Sequence, residues 1–355
     1  MATSPAGPPE YGMLPYMCRR FARVGRTMSF RATTMPQWRA WRRRLRRKLK
    51  ELIGYDTMQR APLKPRTTER VEDGDLVRER VEIQTEPGVV MPLYVLRRKD
   101  LDGPLPAVLC PHGHGSGGKL SPAGVRRTPE VARAIEEFNY DYGVQFARAG
   151  LIAFCPDARG FGERREKGVD LMGSSCAALN HMGYPLGQTV TGMWTWDLHR
   201  LIDYVEQRPD CLPGGVACAG LSGGGLQTLW ATALDDRIRS AVVSGYLYGY
   251  KESLLELYGN CSCNYVPRLY EYVDMSDLAA LIAPRPLLVE TGRSDPLNGP
   301  SGVRNVRSQL AIARRAFRLL GAPRAVRHDL FAGGHRWHGA KAVPWVARWM
   351  DARGQ

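Results

Sequence analysis

Apolar and polar positions change their period along this chain, and each change marks a class of element. From Pro36 onward, Trp38, Trp41, Leu45, Leu49, Leu52 and Ile53 recur at helical spacing, while Arg42, Arg43, Arg46, Arg47 and Lys50 fall on the opposite side. Pro36 suits the start of this amphipathic helix and Gly54 its end. Residues 1–35 are rich in Pro, Gly, Ser, Thr and Arg without a sustained period, so they read as a flexible basic arm that orders only where it touches something. The helix and a linker fill residues 36–69.

Beyond residue 70 the pattern becomes short apolar runs alternating with helical stretches. LVRERVEIQ (76–84) and MPLYVLR (91–97), joined around Pro87-Gly88, leave no room for a crossover helix and predict an antiparallel pair. Six further runs read as buried strands: PAVLCPHG (106–113), LIAFCPDARG (151–160), VACAGLS (216–222), RSAVVSGY (239–246), PRPLLVETG (284–292) and AVRHDLFAGG (325–334). Helical stretches fall at about 130–149, 191–207, 223–234, 302–320 and 340–352. Parallel neighbours need crossovers of about a dozen residues, which these intervals supply. Residues 70–355 are therefore expected to form an α/β domain with a mostly parallel sheet of about eight strands and helices on both faces. Two Gly- and Tyr-rich stretches, at about 162–190 and 246–275, read as insertions over the carboxyl edge of that sheet.

Composition changes this picture in one respect. A net charge of +15 invites a polyanion partner, but residues 1–50 hold thirteen Lys or Arg against the single acid Glu10, a net of +12 that leaves +3 for the rest of the chain. The body is nearly neutral, so no nucleic acid is expected. A helix that docks its Trp/Leu stripe on the domain needs no membrane contact either. No run of 18 apolar residues and no leader-like segment is visible, and the expected location is cytoplasmic. Of the eight cysteines, Cys110, Cys155 and Cys218 sit in strand-like runs as ordinary small buried thiols. Cys261 and Cys263 have no zinc-like second pair and read as structural or lid residues, so neither metal nor other cofactor is expected.

The chemistry is carried by Gly220-Leu221-Ser222-Gly223-Gly224, a G-x-S-x-G pattern placed where an apolar run ends and a helical stretch begins. A sharp turn there lifts the serine oxygen above the sheet, and the amide of Gly223 can face a developing oxyanion. Serine needs a base and an orienting acid, expected after later strands. Asp295 follows PLLVETGRS and His335 follows VRHDLFAGG, in the order Ser, Asp, His. His338, Asp329, Asp274 and Asp277 are the rivals. The second oxyanion donor is expected from the Gly-rich loop 112–118, with the amide of His114 first and Gly115 next. His112, Arg159, Trp194, Tyr246 and Tyr265 are pocket candidates, with Arg159 expected first to pair with a carboxylate that holds its loop rather than to touch substrate.

The segments HGHGSGG, PDARGFGE, WDLHRLIDYVEQRPD, GLSGGG, DLAALIAPRPLLVETGRSDP and GGHRWHG together resemble the α/β-hydrolase superfamily, closest to its acetyl xylan esterase-like and dienelactone hydrolase-like branches. The resemblance covers about residues 70–351. It implies an α/β-hydrolase sheet, a triad at Ser222, Asp295 and His335, an oxyanion hole at Gly223 and the His114 region, and hydrolysis of a short-acyl carboxylic ester without a cofactor. A small-molecule ester is the expected partner, and a homo-oligomer stays open. Peptidase, thioesterase, lactonase and acyltransferase chemistry share the fold and triad. Outside enzymes, a catalytically silent binding protein and an arm-led nucleic-acid or membrane protein remain as alternatives.

Overall fold

The computed structural model describes residues 11–350. Nine strands form one sheet, eight of them from the short apolar runs: β1 (Arg66–Asp73), β2 (Leu76–Glu86), β3 (Val89–Arg98), β4 (Ala107–Leu109), β5 (Ile152–Pro156), β6 (Val216–Leu221), β7 (Ile238–Ser244), β8 (Leu287–Gly292) and β9 (Val326–Phe331). Their order is β1-β2-β3-β5-β4-β6-β7-β8-β9. The pairs from β1 through β3 to β5 are antiparallel, and every pair from β5 to β9 is parallel. The strand beyond the expected eight is β1, whose sequence RTTERVED is exposed except at half-buried Val71. Charges on both faces left it without an apolar period, and the same charges blunt the sheet's free edge.

Helices α1 (Met13–Val24), α2 (Met35–Ile53), α3 (Pro129–Phe138), α4 (Tyr142–Arg148), α5 (Cys176–Gly183), α6 (Val190–Val205), α7 (Gly223–Leu234), α8 (Leu269–Tyr272), α9 (Met275–Ile282), α10 (Val303–Leu319) and α11 (Ala342–Met350) cover the sheet. Strand alternation assigns the layers. Val242 and Leu288 pack with α3, α4 and α11, while Ala241, Val243, Leu287 and Val289 pack with α2, α7, α9 and α10 on the other face. Among the described residues, no helix is long and apolar enough to cross a membrane.

The basic helix docks. Trp38, Trp41, Leu45, Leu49 and Ile53 of α2 are buried, Trp41 Nε1 donates to Met28 O at 2.8 Å, and Gly54 closes the helix at φ 70°. Its polar face meets the body as well: Arg42 and Arg46 both reach Asp236. Ahead of it, the expected flexible arm contains α1, whose half-buried Cys18, Phe21 and Val24 share one face. Phe21 packs edge-on against Tyr270 at 5.6 Å, and Arg26 pairs with Asp277 at 2.7 Å. Pro and Gly on either side hid this short apolar stripe. The first ten residues of the arm lie outside the described residues.

Both insertions carry their own short elements, α5 in the first and α8 in the second. At the second insertion's end, Asp274 and Asp277 are buried and form a reciprocal capping box on α9. Asp277 also accepts from Arg26 and from the Phe30 amide, so one carboxylate ties the arm, the helix start and the domain together.

Candidate active site

Ser222 sits between the end of β6 and the start of α7 with φ 60° and ψ −118°, a conformation that L side chains rarely adopt. Its amide donates to Ser244 O on β7 at 2.9 Å, which fixes the turn to the sheet. The glycines around it answer to crowding. A Cβ on Gly224 would lie 2.1 Å from Pro111 O, and one on Gly220 would lie 2.5 Å from the Gly224 carbonyl carbon. Strand, helix and the loop after β4 can meet this closely only without side chains, and the meeting point exposes the serine.

His335 and Asp295 converge from the loops after β9 and β8. His335 Nδ1 lies 2.8 Å from Asp295 Oδ2, with side-chain exposures of 23% and 1%. A carboxylate accepts only, so Nδ1 carries the proton and Nε2 keeps a free lone pair. Asp295 is itself held by the Leu297 amide at 2.9 Å. The imidazole rests on Gly245, the residue after Ser244, where a Cβ would lie 3.0 Å from His335 Cε1. The rival histidine has a different occupation: His338 Nδ1 is 2.6 Å from Asp329, Lys341 Nζ holds the other Asp329 oxygen at 2.7 Å, and the ring stacks on Phe331.

The loop after β4 lies directly over the serine turn. Gly113 N donates to Tyr140 Oη at 2.8 Å, Gln227 Nε2 to His112 O at 2.7 Å, and Tyr142 Oη to Pro111 O at 2.6 Å. Three side chains thus fix the backbone that leads to His114, whose Nδ1 lies 3.1 Å from the Cβ position of Gly223. The Gly223 amide belongs to the first turn of α7, where helix amides lack intrahelical partners.

Ser222, Gly223 and His114 line a cavity of about 250 Å3, with Tyr246, Tyr248 and Asn260 around them. A larger cleft of about 480 Å3 lies at the opposite, amino edge of the sheet, between the segments that lead into β4, β6 and β8. It contains Pro, Gly and Arg but neither a nucleophile nor a base.

Comparison with known proteins gives the family of the chain. Residues 11–332 match the Abhydrolase_7 model, described as an abhydrolase family. The chain belongs to this abhydrolase family. A relative from Bacillus subtilis (strain 168), named "Putative hydrolase YtaP", is 28% identical over 319 residues, covering 86% of this abhydrolase and 98% of the relative. The solved structure of a "putative acetyl xylan esterase" from Bacteroides fragilis NCTC 9343 superposes with a TM-score of 0.76 at 16% identity, covering 99% of this chain and 93% of that one. A glucuronoyl esterase from Solibacter usitatus gives 0.67 at 17% identity, covering 92% and 97%. These identities make the structural likeness one of fold.

The abhydrolase uses several expected pocket residues elsewhere. His112 is buried behind its loop: Nε2 accepts from the Ala158 amide at 3.1 Å, and Nδ1 faces Gly113 O at 2.9 Å. Burial pushes its pKa down to about 4, so it is a neutral pin between the loops after β4 and β5. Arg159 pairs with Glu86 at 2.7 Å and Asp197 at 2.8 Å, and Trp194 Nε1 donates to Arg159 O at 2.9 Å. Both support the wall without forming it. Tyr265 donates to Leu254 O and faces a separate groove against α1. Of the aromatic candidates in the 246–275 stretch, Tyr246 and Tyr248 reach the cavity, and Asn260 from the same stretch joins them. The only sequence signal for Asn260 was its place in that stretch.

Proposed function

We propose that this abhydrolase is a serine esterase that cleaves short-acyl carboxylic esters. The observation that carries the reading is the convergence of the strained Ser222 turn and the oxyanion loop on one small cavity, with the His335–Asp295 pair seated on Gly245 beside that turn. Ser222 attacks the ester carbonyl while His335 Nε2 takes its proton. Asp295 holds the imidazole in the required tautomer and stabilises the imidazolium. The Gly223 and His114 amides receive the oxyanion, and the tetrahedral intermediate then expels the alkoxide, which His335 protonates. Water, deprotonated by the same imidazole, releases the acid and restores Ser222. A cavity of about 250 Å3 suits an acetyl or similarly short acyl group. The esterase names of the two solved neighbours support the same chemistry.

The test is a panel of acetyl, longer-acyl, methyl-ester and lactone substrates. Turnover should be highest on acetyl esters and fall by roughly 10^4-fold or more in Ser222→Ala. Equal rates for wild type and Ser222→Ala would remove the proposal, and a preference for long acyl chains would remove its short-acyl part.

A further inference from the structure

Four soft donors meet at the roof of the cavity. The ligand atoms of His114, Cys176, Cys261 and Cys263 all lie within 4.8 Å of one another, and Cys263 Sγ is 3.7 Å from His114 Nε2. Tetrahedral zinc, with Zn–S of about 2.3 Å and Zn–N of about 2.0 Å, places sulfur and nitrogen ligands about 3.5 Å apart. The pair already at 3.7 Å fits that edge, and the remaining donors need only a small contraction. The sequence showed no second cysteine pair near Cys261 and Cys263 because the other ligands come from distant segments, α5 and the loop after β4.

The backbone around the donors is built. Asn180 Nδ2 donates to Ser262 O at 2.9 Å, and Thr191 Oγ1 donates to Cys263 O at 2.6 Å, so the cysteine turn is fixed from α5 and α6. Asn264 Nδ2 donates to Cys261 O at 3.0 Å and lies 3.6 Å from Cys263 Sγ, the kind of outer contact that orients a thiolate ligand. The other cluster of this kind among the described residues, Glu290, Asp329 and His338, already has the Lys341 ammonium on Asp329.

We propose that His114, Cys176, Cys261 and Cys263 bind a structural Zn2+. Three thiol protons leave as three Zn–S bonds form, and neutral His114 Nε2 supplies the fourth bond. Four protein ligands leave no open position, so the metal does not enter the ester chemistry. Instead it ties both insertions to the oxyanion loop and holds the cavity roof over Ser222. Three thiolates with one imidazole in tetrahedral array select zinc over the harder divalent cations.

Elemental analysis of the full chain, purified without chelators or a metal-binding tag, tests this. Wild type and Ser222→Ala should both carry about one zinc per chain, so the site stands or falls apart from the esterase reading. Cys263→Ser and His114→Ala should bind zinc at least about tenfold more weakly. Should either variant unfold, Co2+ exchange into wild type decides, and it should give thiolate-to-cobalt charge-transfer absorption with intense tetrahedral d–d bands. A zinc-free wild type that takes up no Zn2+ or Co2+ with its thiols reduced overturns the site. So does a disulfide between any two of the three cysteines in the freshly isolated protein.

Discussion

His335 and His338 are three residues apart and have opposite surroundings. The first faces Asp295 and rests on Gly245 beside the serine turn, while the second is locked to Asp329 and stacked on Phe331. Steady-state kinetics should therefore separate them. His335→Ala should lose roughly 10^3-fold or more in kcat, whereas His338→Ala should stay within about threefold, since surface and support positions cost little. Comparable losses in the two variants would contradict this assignment of partners. Gly245→Ala is the steric counterpart, since its Cβ would enter the space beside His335 Cε1 and φ 58° is strained for alanine. It should lower kcat more than stability. The meeting of Asp295 with His335 was legible because both end apolar runs at the same sheet edge. The carboxylate pairing of Arg159 was legible as well, whereas the supporting roles of His112 and Trp194 were not, because lining and buttressing side chains at that edge share the same residue types.

At the scale of elements, the N-terminal segment is part of the domain. Trp41 on α2 is 6% exposed and bonds Met28 O, so Trp41→Ala should cost roughly 3–5 kcal/mol in denaturant unfolding. The Arg42 and Arg46 pairs with half-exposed Asp236 should contribute under about 1 kcal/mol each, and less at high salt. Asp277→Ala removes a cap and leaves Arg26 and the Phe30 amide without their acceptor. A loss of roughly 3 kcal/mol is expected, and an unchanged denaturation midpoint would mean that the arm is not coupled to α9. The bounds of α2 were readable from Pro36, the Trp/Leu stripe and Gly54. By contrast, α1 was masked by flanking breakers, and β1 by charges on both of its faces.

Across the whole molecule, buried ionisable groups set the response to pH. Burial lowers His112 and His328 to about 4, below their unfolded values, so the unfolded chain binds more protons between about 6.5 and 4. Their contribution is complete above about pH 6.5 and is lost as pH falls through about 4. A second loss follows below about pH 4. Burial disfavours the Asp197 charge, but Arg159 and Arg164 outweigh it and hold its pKa at about 2. That carboxylate's stabilisation is present above its unfolded value of about 3.9 and disappears as pH falls through 2. Denaturant midpoints should thus be level near neutrality, decline between about pH 6.5 and 4, and continue to decline below about pH 4. In His328→Gln the upper decline should shrink, and a curve that rises on acidification from pH 6.5 would contradict neutral imidazoles at buried His112 and half-buried His328.

The proposed role of Ser222 as an esterase nucleophile predicts its covalent capture by an organophosphonate. The most direct measurement is the intact mass and peptide map of the protein after reaction with an organophosphonate. A single adduct on Ser222, with turnover lost in proportion to labelling, is the predicted result. Full labelling elsewhere, or complete retention of ester turnover with Ser222 modified, would contradict it.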